Sequence, residues 1–341
     1  MSSTAYNPPN RFEDTHTYWE DSGPKMRFVA IEDHTRSILA KNTSPDLPFS
    51  WSINPYRGCF HGCAYCYARP THEFLGLGAG TDFQSRILYK PKAASLLKTA
   101  LNQSRWQGEP ILFSGNTDCY QPLEAQLGLT RACLEVCALF RNPVLLITRA
   151  TGIQRDIDVL QELHEEASVQ VTISIPFHDR KICRLIEPNA PPPQMRYETI
   201  ARLHEAGIPV GVNVAPLIPG LNDNQVPEIL KNAHLAGAQW ADTILVRLPG
   251  SVAPYFEKQL RAALPDRAEA VLSRIRRARG GALNDSRFGT RMRGKGPEWE
   301  STQQLFQITR NKLGLDSRPP SSPRTFRRPG GGRQVSLFQS G

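Results

Sequence analysis

The chain has 341 residues, 40% of them hydrophobic, and carries 41 lysines and arginines against 32 aspartates and glutamates. This length can bury a large core and is within the range of α/β barrel domains. No apolar run approaches the about 18 residues of a membrane-spanning helix, and the N-terminus does not resemble a signal peptide, so we expect a cytoplasmic protein without a membrane partner. The net charge of +9 points to a polyanionic partner.

The chain divides into four parts by composition. Residues 1–50 are polar and interrupted by prolines, which predicts an extension that wraps the core or is partly disordered. Residues 51–250 alternate short apolar runs with helical patterns, and residues 251–315 are mostly helical in pattern. Residues 316–341 are rich in arginine, proline and glycine, which predicts a disordered basic tail.

Six short runs in the second part are rich in Val, Ile, Leu and Thr, as buried parallel strands are. The predicted strands are 50–55, 111–114, 144–148, 169–175, 210–215 and 243–248. Amphipathic stretches lie between them, and Gly207 and Gly237 stand where two of these helices should end. Strands that alternate with helices pair in parallel through right-handed crossovers. Six such units predict an α/β fold with a partial barrel, too few to close the eight-stranded form.

A cysteine motif follows the first predicted strand. Cys59, Cys63 and Cys66 are spaced so that one short loop presents three thiols. A structural zinc site or a fully ligated cluster needs four protein ligands, whereas three cysteines on a 4Fe–4S cluster leave one iron open. Zinc remains an alternative, with His61 or His72 as the fourth ligand.

This motif resembles the cluster-binding motif of the radical S-adenosylmethionine (SAM) superfamily, including the aromatic residue before the third cysteine. Four further segments resemble the DNA-repair photolyase group of that superfamily, which is related to spore photoproduct lyase. They are NPYRGC at 54–59, TDCYQP at 117–122, APLIPGLND at 215–223 and RMRG at 291–294. The resemblance implies a 4Fe–4S cluster and SAM as cofactors, and an electron donor such as flavodoxin or ferredoxin as a partner.

The resemblance also assigns candidate roles to residues near the strand ends. Cys59, Cys63 and Cys66 would bind the cluster. The candidate SAM-binding residues are Tyr65, Ser114, Gly115, Asn116, Thr148, Arg149, Ser174 and Asn213. For each of these the alternative is a polar residue of the barrel interior that its neighbours satisfy.

Cys119 lies just beyond the second predicted strand and is a candidate catalytic thiol. Spore photoproduct lyase uses an extra cysteine near this strand end, but the positions do not match residue for residue. The alternative is a buried, inert thiol. Cys133 and Cys137 are four residues apart on a predicted helix, and their apolar neighbours favour core packing.

Two basic stretches near the C-terminus are candidates for contact with nucleic acid. Residues 274–295 hold eight cationic residues and one acid, and residues 318–333 hold five arginines and no acid. Solvated surface charge is the alternative for both. The segment formed by Gln334, Val335, Ser336, Leu337 and Phe338 resembles the short peptides that bind the bacterial sliding clamp, which predicts the clamp as a partner.

These features together predict a radical SAM enzyme that acts on damaged DNA. A radical SAM enzyme acting on RNA, a peptide or a small metabolite is one alternative. A nucleic-acid-binding protein with a structural zinc knuckle is the other.

Overall fold

The structure, a computed structural model, describes residues 6–12, 28–319 and 325–329. In these ranges the strands are Val29–Glu32 (β1), Leu39–Lys41 (β2), Trp51–Ile53 (β3), Tyr56–Arg57 (β4), Arg86–Tyr89 (β5), Ile111–Phe113 (β6), Val144–Thr148 (β7), Val169–Ser174 (β8), Val210–Leu217 (β9) and Ala241–Leu245 (β10). The helices are Thr81–Ser85 (α1), Ala93–Asn102 (α2), Glu124–Leu127 (α3), Leu129–Leu139 (α4), Ile157–Glu166 (α5), Arg180–Ile186 (α6), Pro193–Glu205 (α7), Val226–Leu235 (α8), Val252–Ala263 (α9), Pro265–Ala278 (α10) and Pro297–Lys312 (α11).

Seven strands form the main sheet in the order β10-β9-β8-β7-β6-β3-β2. Six of its strands are parallel: β3, β6, β7, β8, β9 and β10. Strand β2 pairs with β3 in the antiparallel direction. Strands β2 and β10 are the two edges, so the sheet of the described residues does not close. The predicted α/β fold with six parallel strands in a partial barrel is therefore confirmed.

Burial explains why these six runs form strands. Every residue of β8 is buried, which is typical of a parallel strand covered on both faces. Helix α7 ends before Gly207 (φ +75°) and α8 ends before Gly237 (φ +95°), so the predicted positions of these two helix ends are confirmed. The carboxyl ends of the six parallel strands lie on one side of the sheet, called the carboxyl edge below.

The structure differs from the expectation at both ends of the barrel sequence. The first predicted strand is shorter, because β3 ends at Ile53 and β4 joins β1 and β5 in a second, three-stranded sheet. The sixth strand begins two residues earlier than expected, at Ala241. Residues 29–41 of the predicted extension supply β1 and β2, so this part of the extension is built into the two sheets.

The C-terminal part contains the three helices α9, α10 and α11, and α11 lies against α8. The disordered tail at residues 316–341 stays a prediction, and the described residues of this segment, 316–319 and 325–329, make contacts with the rest of the protein. The backbone of Asp316 pairs with that of Trp240 in an isolated antiparallel β-bridge. The ring of Phe326 stacks on that of Phe140, with 6.2 Å between the ring centres. The proposed clamp-binding residues 334–338 lie outside the described residues.

Within residues 6–12, 28–319 and 325–329, no helix is both long and apolar enough to cross a membrane.

Candidate functional site

The three cysteines lie on residues 58–67, called the cysteine loop below. The loop follows β4 and lies at the carboxyl edge. Gly58 and Gly62 turn the backbone with φ values of +81° and +69°, a conformation that favours glycine. A Cβ atom on Gly58 would lie 2.8 Å from the carbonyl oxygen of Phe83, the oxygen that accepts a hydrogen bond from the Cys59 amide at 2.9 Å. The loop therefore depends on glycine at this position.

Arg69 anchors the backbone of the cysteine loop through hydrogen bonds. Its side chain is fully buried, and its guanidinium donates hydrogen bonds to the carbonyl oxygens of Gly62 and Cys63 at 2.9–3.0 Å. The same group donates to the carbonyl oxygens of Ala79 and Gly80. One arginine thus joins the loop to a second segment through four buried carbonyl groups, each of which needs a donor.

A second anchor comes from the segment that follows α6. The amide of Ala64 donates to the carbonyl of Ile186 at 2.9 Å. The side-chain amide of Asn189 donates to the carbonyl of Phe60 at 2.9 Å, and its main-chain amide donates to the carbonyl of His61. These bonds fix the backbone on both sides of Cys63.

The thiols themselves are free and shielded from water. Cys59 and Cys63 are buried, and Cys66 is half-buried. Burial raises the pKa of the Cys59 thiol well above its usual value and that of Cys63 to about 12, although Arg149 opposes the second shift. The charge of Asp118, and then the charges of the other two cysteines, also raise the pKa of Cys59. Thiolates at these positions need a cationic centre to stabilise them.

A buried ionic network lies beside Cys63. The Glu187 carboxylate accepts hydrogen bonds from Tyr65, Arg149 and Arg196 and is completely buried. Burial opposes ionisation of Glu187, but Arg196 and Arg149 outweigh it and lower the pKa of this carboxyl to about 2. Arg149 also donates to the Cys63 sulfur, with Nη1 3.2 Å from Sγ.

Asp118 connects the neighbouring strand ends. Its carboxylate accepts hydrogen bonds from the Thr148 hydroxyl at 2.7 Å and from the Arg149 amide at 3.0 Å. Its Oδ2 also lies 3.5 Å from Nδ1 of His61, whose pKa burial lowers to about 4, so that this imidazole is neutral near pH 7. The carboxylate thereby joins the ends of β6 and β7 to the cysteine loop.

The predicted SAM-binding residues near β6 hold the backbone of this edge. Ser114 has φ +67°, and its Oγ accepts a hydrogen bond from the Cys119 amide at 2.9 Å. The Gly115 carbonyl accepts a hydrogen bond from the Tyr67 hydroxyl, and the Asn116 amide donates to the Asn54 side chain. This turn therefore contacts the end of the cysteine loop directly.

The remaining candidates lie on other strands. The Tyr65 hydroxyl donates a hydrogen bond to Glu187 and accepts one from Arg149. The Ser174 carbonyl accepts a hydrogen bond from Arg196. Asn213 on β9 differs, because its buried Oδ1 has no hydrogen-bond partner in the described part of the protein. An orphaned buried acceptor indicates a ligand or water that completes it.

Cys119 is completely buried in the hydrophobic core. Its thiol lies beside the hydroxyl groups of Ser114 and Thr130, and burial raises its pKa well above the usual value. These surroundings are those of an inert core thiol. The catalytic role stays a prediction that this position does not favour. Cys133 and Cys137 are also completely buried, in agreement with the core packing expected for them.

A further cationic group, which no sequence motif marks, lies at the carboxyl edge. Arg247 follows the end of β10, and its guanidinium carbon lies 5.4 Å from the ring centre of Tyr67. Among the described residues it has no acidic partner, and its buried Nε lacks a hydrogen-bond acceptor. Burial, together with repulsion from Arg291, lowers the pKa of Arg247. Arg291 pairs with Asp46 and lies 4.7 Å from the ring centre of the exposed Phe288.

Comparison with known families bears on this site. The family model of the radical SAM superfamily matches residues 53–233, which contain the cysteine loop and the parallel strands β6, β7, β8 and β9. The chain belongs to the radical SAM superfamily. Radical SAM proteins use a 4Fe–4S cluster and SAM, so the membership favours the cluster over the zinc knuckle.

Two curated relatives are themselves uncharacterized proteins. One, from Mycobacterium tuberculosis, is 33% identical over 222 residues, which cover 64% of this chain and 65% of the relative. Another, from Methanocaldococcus jannaschii, is 28% identical over 171 residues, which cover 50% of this chain and 61% of the relative. The chain thus matches less than two thirds of the length of these relatives.

Solved structures of spore photoproduct lyase are similar in fold. The complex of that lyase with dinucleoside spore photoproduct has a TM-score of 0.59 at 13% sequence identity. The similarity covers 84% of this chain and 79% of the lyase. At this identity the similarity supports the radical SAM fold of the chain.

The residues of the site fit the cofactors of the family. Three thiols on one anchored loop, with a cationic guanidinium against Cys63, provide a donor set that suits an iron–sulfur cluster. The Oδ1 of Asn213 on β9 is a buried acceptor without a partner in the described residues, as an atom that contacts a ligand would be. The described residues hold no group of three His, Cys, Asp or Glu side chains already arranged around a single metal ion.

Proposed function

We propose that this protein is a radical SAM enzyme whose cluster is bound by Cys59, Cys63 and Cys66 and whose substrate is damaged DNA. The observation that carries the proposal is the cysteine loop at the carboxyl edge, anchored by Arg69. When bound, the reduced cluster supplies the electron that cleaves SAM into methionine and a 5′-deoxyadenosyl radical, which abstracts a hydrogen atom from the substrate. An electron donor such as flavodoxin or ferredoxin is the partner for reduction.

The protein's part in this chemistry is to position the cofactor and exclude water. The turn formed by Ser114, Gly115 and Asn116 is held against the cysteine loop by the Tyr67 hydroxyl, which makes it a candidate wall of the SAM site. Asn213 offers a free acceptor to a donor group of SAM. Thr148 acts less directly, because its hydroxyl is used to hold Asp118.

Support for a nucleic-acid substrate comes from the charges around the same edge. Arg247 is partly desolvated and has no acidic partner in the described residues, so a phosphate group would complete its surroundings. The exposed ring of Phe288, with the Arg291 guanidinium against it, offers a base-stacking surface. Spore photoproduct lyase, which shares the fold, has been solved with a dinucleoside spore photoproduct.

The test uses anaerobically reconstituted protein with dithionite and SAM. Ultraviolet-irradiated DNA should raise the rate of 5′-deoxyadenosine formation above that with undamaged DNA, and deuterium from labelled thymidine should enter 5′-deoxyadenosine. Transfer of deuterium from RNA, a peptide or a small metabolite, with none from irradiated DNA, would replace the DNA substrate while keeping the radical SAM activity.

Two variants separate nucleic-acid contact from cofactor chemistry. Arg247→Gln should weaken DNA binding and reduce the slope of log affinity against log salt by about one, because it removes one phosphate contact. Cleavage of SAM without DNA should be unchanged. Arg277→Gln is a matched control, since this exposed arginine forms an ion pair with Glu298 at the outer surface. Equal effects of the two variants would contradict the proposed phosphate contact.

A further inference from the structure

The ionic network beside Cys63 carries an excess of positive charge. Arg149 and Arg196 share the single carboxylate of Glu187. Arginine stays ionised in proteins, and the Glu187 carboxylate accepts hydrogen bonds from both guanidinium groups, as an ionised carboxylate does. The three side chains therefore sum to one positive charge. Glu187 and Arg196 have completely buried side chains, and that of Arg149 is 18% exposed, so solvent screens this charge weakly.

The network is held rigidly against the cysteine loop. Arg196 donates to the carbonyls of Pro191 and Ser174, and its Nη2 lies 2.5 Å from Glu187 Oε2. Arg149 is fixed through its main-chain amide by Asp118, and its side chain reaches Tyr65 and Cys63. Both guanidinium groups are thus fixed by several bonds, and one N–H group is directed at the cysteine sulfur.

We propose that Arg149 is a residue that contacts the cluster and sets its reduction potential. Its Nη1 donates an N–H···S hydrogen bond to the Cys63 sulfur, and the net positive charge that it shares with Arg196 favours the reduced cluster. Glu187 is the positioning residue that holds both arginines. This assignment differs from the SAM-binding role that the sequence predicted for Arg149.

The physical basis is electrostatic. The reduction potential of an iron–sulfur cluster depends on net charge, on hydrogen bonds to the sulfur atoms and on exposure to solvent. Reduction adds a negative charge, and a nearby positive charge in a region of low dielectric constant stabilises the reduced state more than the oxidised state. Removing the charge of Arg149 must therefore lower the potential, whereas removing the charge of Glu187 must raise it. A purely structural role predicts no such change of sign.

The experiment is a redox titration of reconstituted protein without SAM, followed by electron paramagnetic resonance of the reduced cluster. In Arg149→Met the ratio of reduced to oxidised cluster at a fixed potential should fall about tenfold, which equals about 59 mV for one electron. Glu187→Gln, which keeps an oxygen acceptor, should shift the midpoint in the opposite direction. Arg277→Met removes an equal charge at the outer surface and should leave the midpoint unchanged.

The affinity for SAM and the midpoint of a variant that keeps the charge separate the possible outcomes. Arg149→Lys keeps the charge but loses the planar guanidinium, so its midpoint should fall between those of wild type and Arg149→Met; it replaces Arg149→Met if that variant lacks a cluster. The SAM dissociation constant is measured on the same samples. An unchanged midpoint in the Arg149 variants, or midpoint shifts of the same sign in Arg149→Met and Glu187→Gln, would overturn the proposal. Weaker SAM binding with an unchanged midpoint would assign Arg149 to SAM instead.

Discussion

Replacing Gly58 with alanine tests whether the cysteine loop depends on one backbone conformation. Gly58 has φ +81°, and an added Cβ would lie 2.8 Å from both the Phe83 carbonyl oxygen and Cε1 of His72. Gly207 is a matched control, because it has φ +75° at the end of α7 and no atom within 4 Å of an added Cβ. Both alanines incur the left-handed backbone strain, but only the one at residue 58 also collides with the main chain.

The expected magnitudes follow from these contacts. The left-handed conformation costs an alanine about 1–2 kcal/mol, which is the whole effect expected at Gly207. At Gly58 the overpacking adds about 1–3 kcal/mol, and loss of the bond from the Cys59 amide to Phe83 adds about 1 kcal/mol. We expect Gly58→Ala to lower the free energy of unfolding by about 3–6 kcal/mol in urea titrations and to bind less iron. Equal losses of stability and wild-type iron content in both variants would refute the reasoning.

Three other predictions concern neighbouring groups. Arg69→Met should lower stability by about 3 kcal/mol or more and speed the loss of iron to a chelator, because it leaves buried carbonyls of the cysteine loop without donors; an unchanged rate would contradict the anchor. Cys119→Ala should form 5′-deoxyadenosine at the wild-type rate and lose about 1 kcal/mol of stability, and an altered product would support the catalytic role instead. Burial lowers the pKa of Lys90 to about 8, below the usual 10.5, so the unfolded chain binds more protons in this interval. Lys90 should therefore make the free energy of unfolding rise as the pH increases from 8 to 10.5. In denaturation curves of Lys90→Met, this increase with pH should be absent.

The fold could be predicted because its signal is local. Six apolar runs of strand length, separated by amphipathic helices, are sufficient to predict parallel strands, and glycines such as Gly207 mark helix ends. The contacts of the described tail residues could not be predicted from composition alone. An arginine-rich and proline-rich segment has no core of its own, yet Phe326 finds a partner in Phe140, a ring 186 residues earlier in the chain.

The same distinction explains the site. The spacing of three cysteines within eight residues predicts cluster binding, and the order of strands in the sequence predicts their place at the carboxyl edge. The partners of Cys63 cannot be predicted from spacing, because Arg149 and Glu187 lie 86 and 124 residues further along the chain. Their meeting depends on how the ends of β7 and α6 approach the loop. Glu187 has no motif, and its role follows only from its burial between two arginines.

The most direct test of the account is the iron and sulfide content of single cysteine variants after anaerobic reconstitution. We predict that Cys59→Ala, Cys63→Ala and Cys66→Ala each lose the 4Fe–4S cluster and the reductive cleavage of SAM. The matched controls Cys133→Ala and Cys137→Ala remove buried thiols outside the cysteine loop and should keep both. Full cluster occupancy in Cys63→Ala, or loss of the cluster in the controls alone, would contradict the assignment of the three cysteines as its ligands.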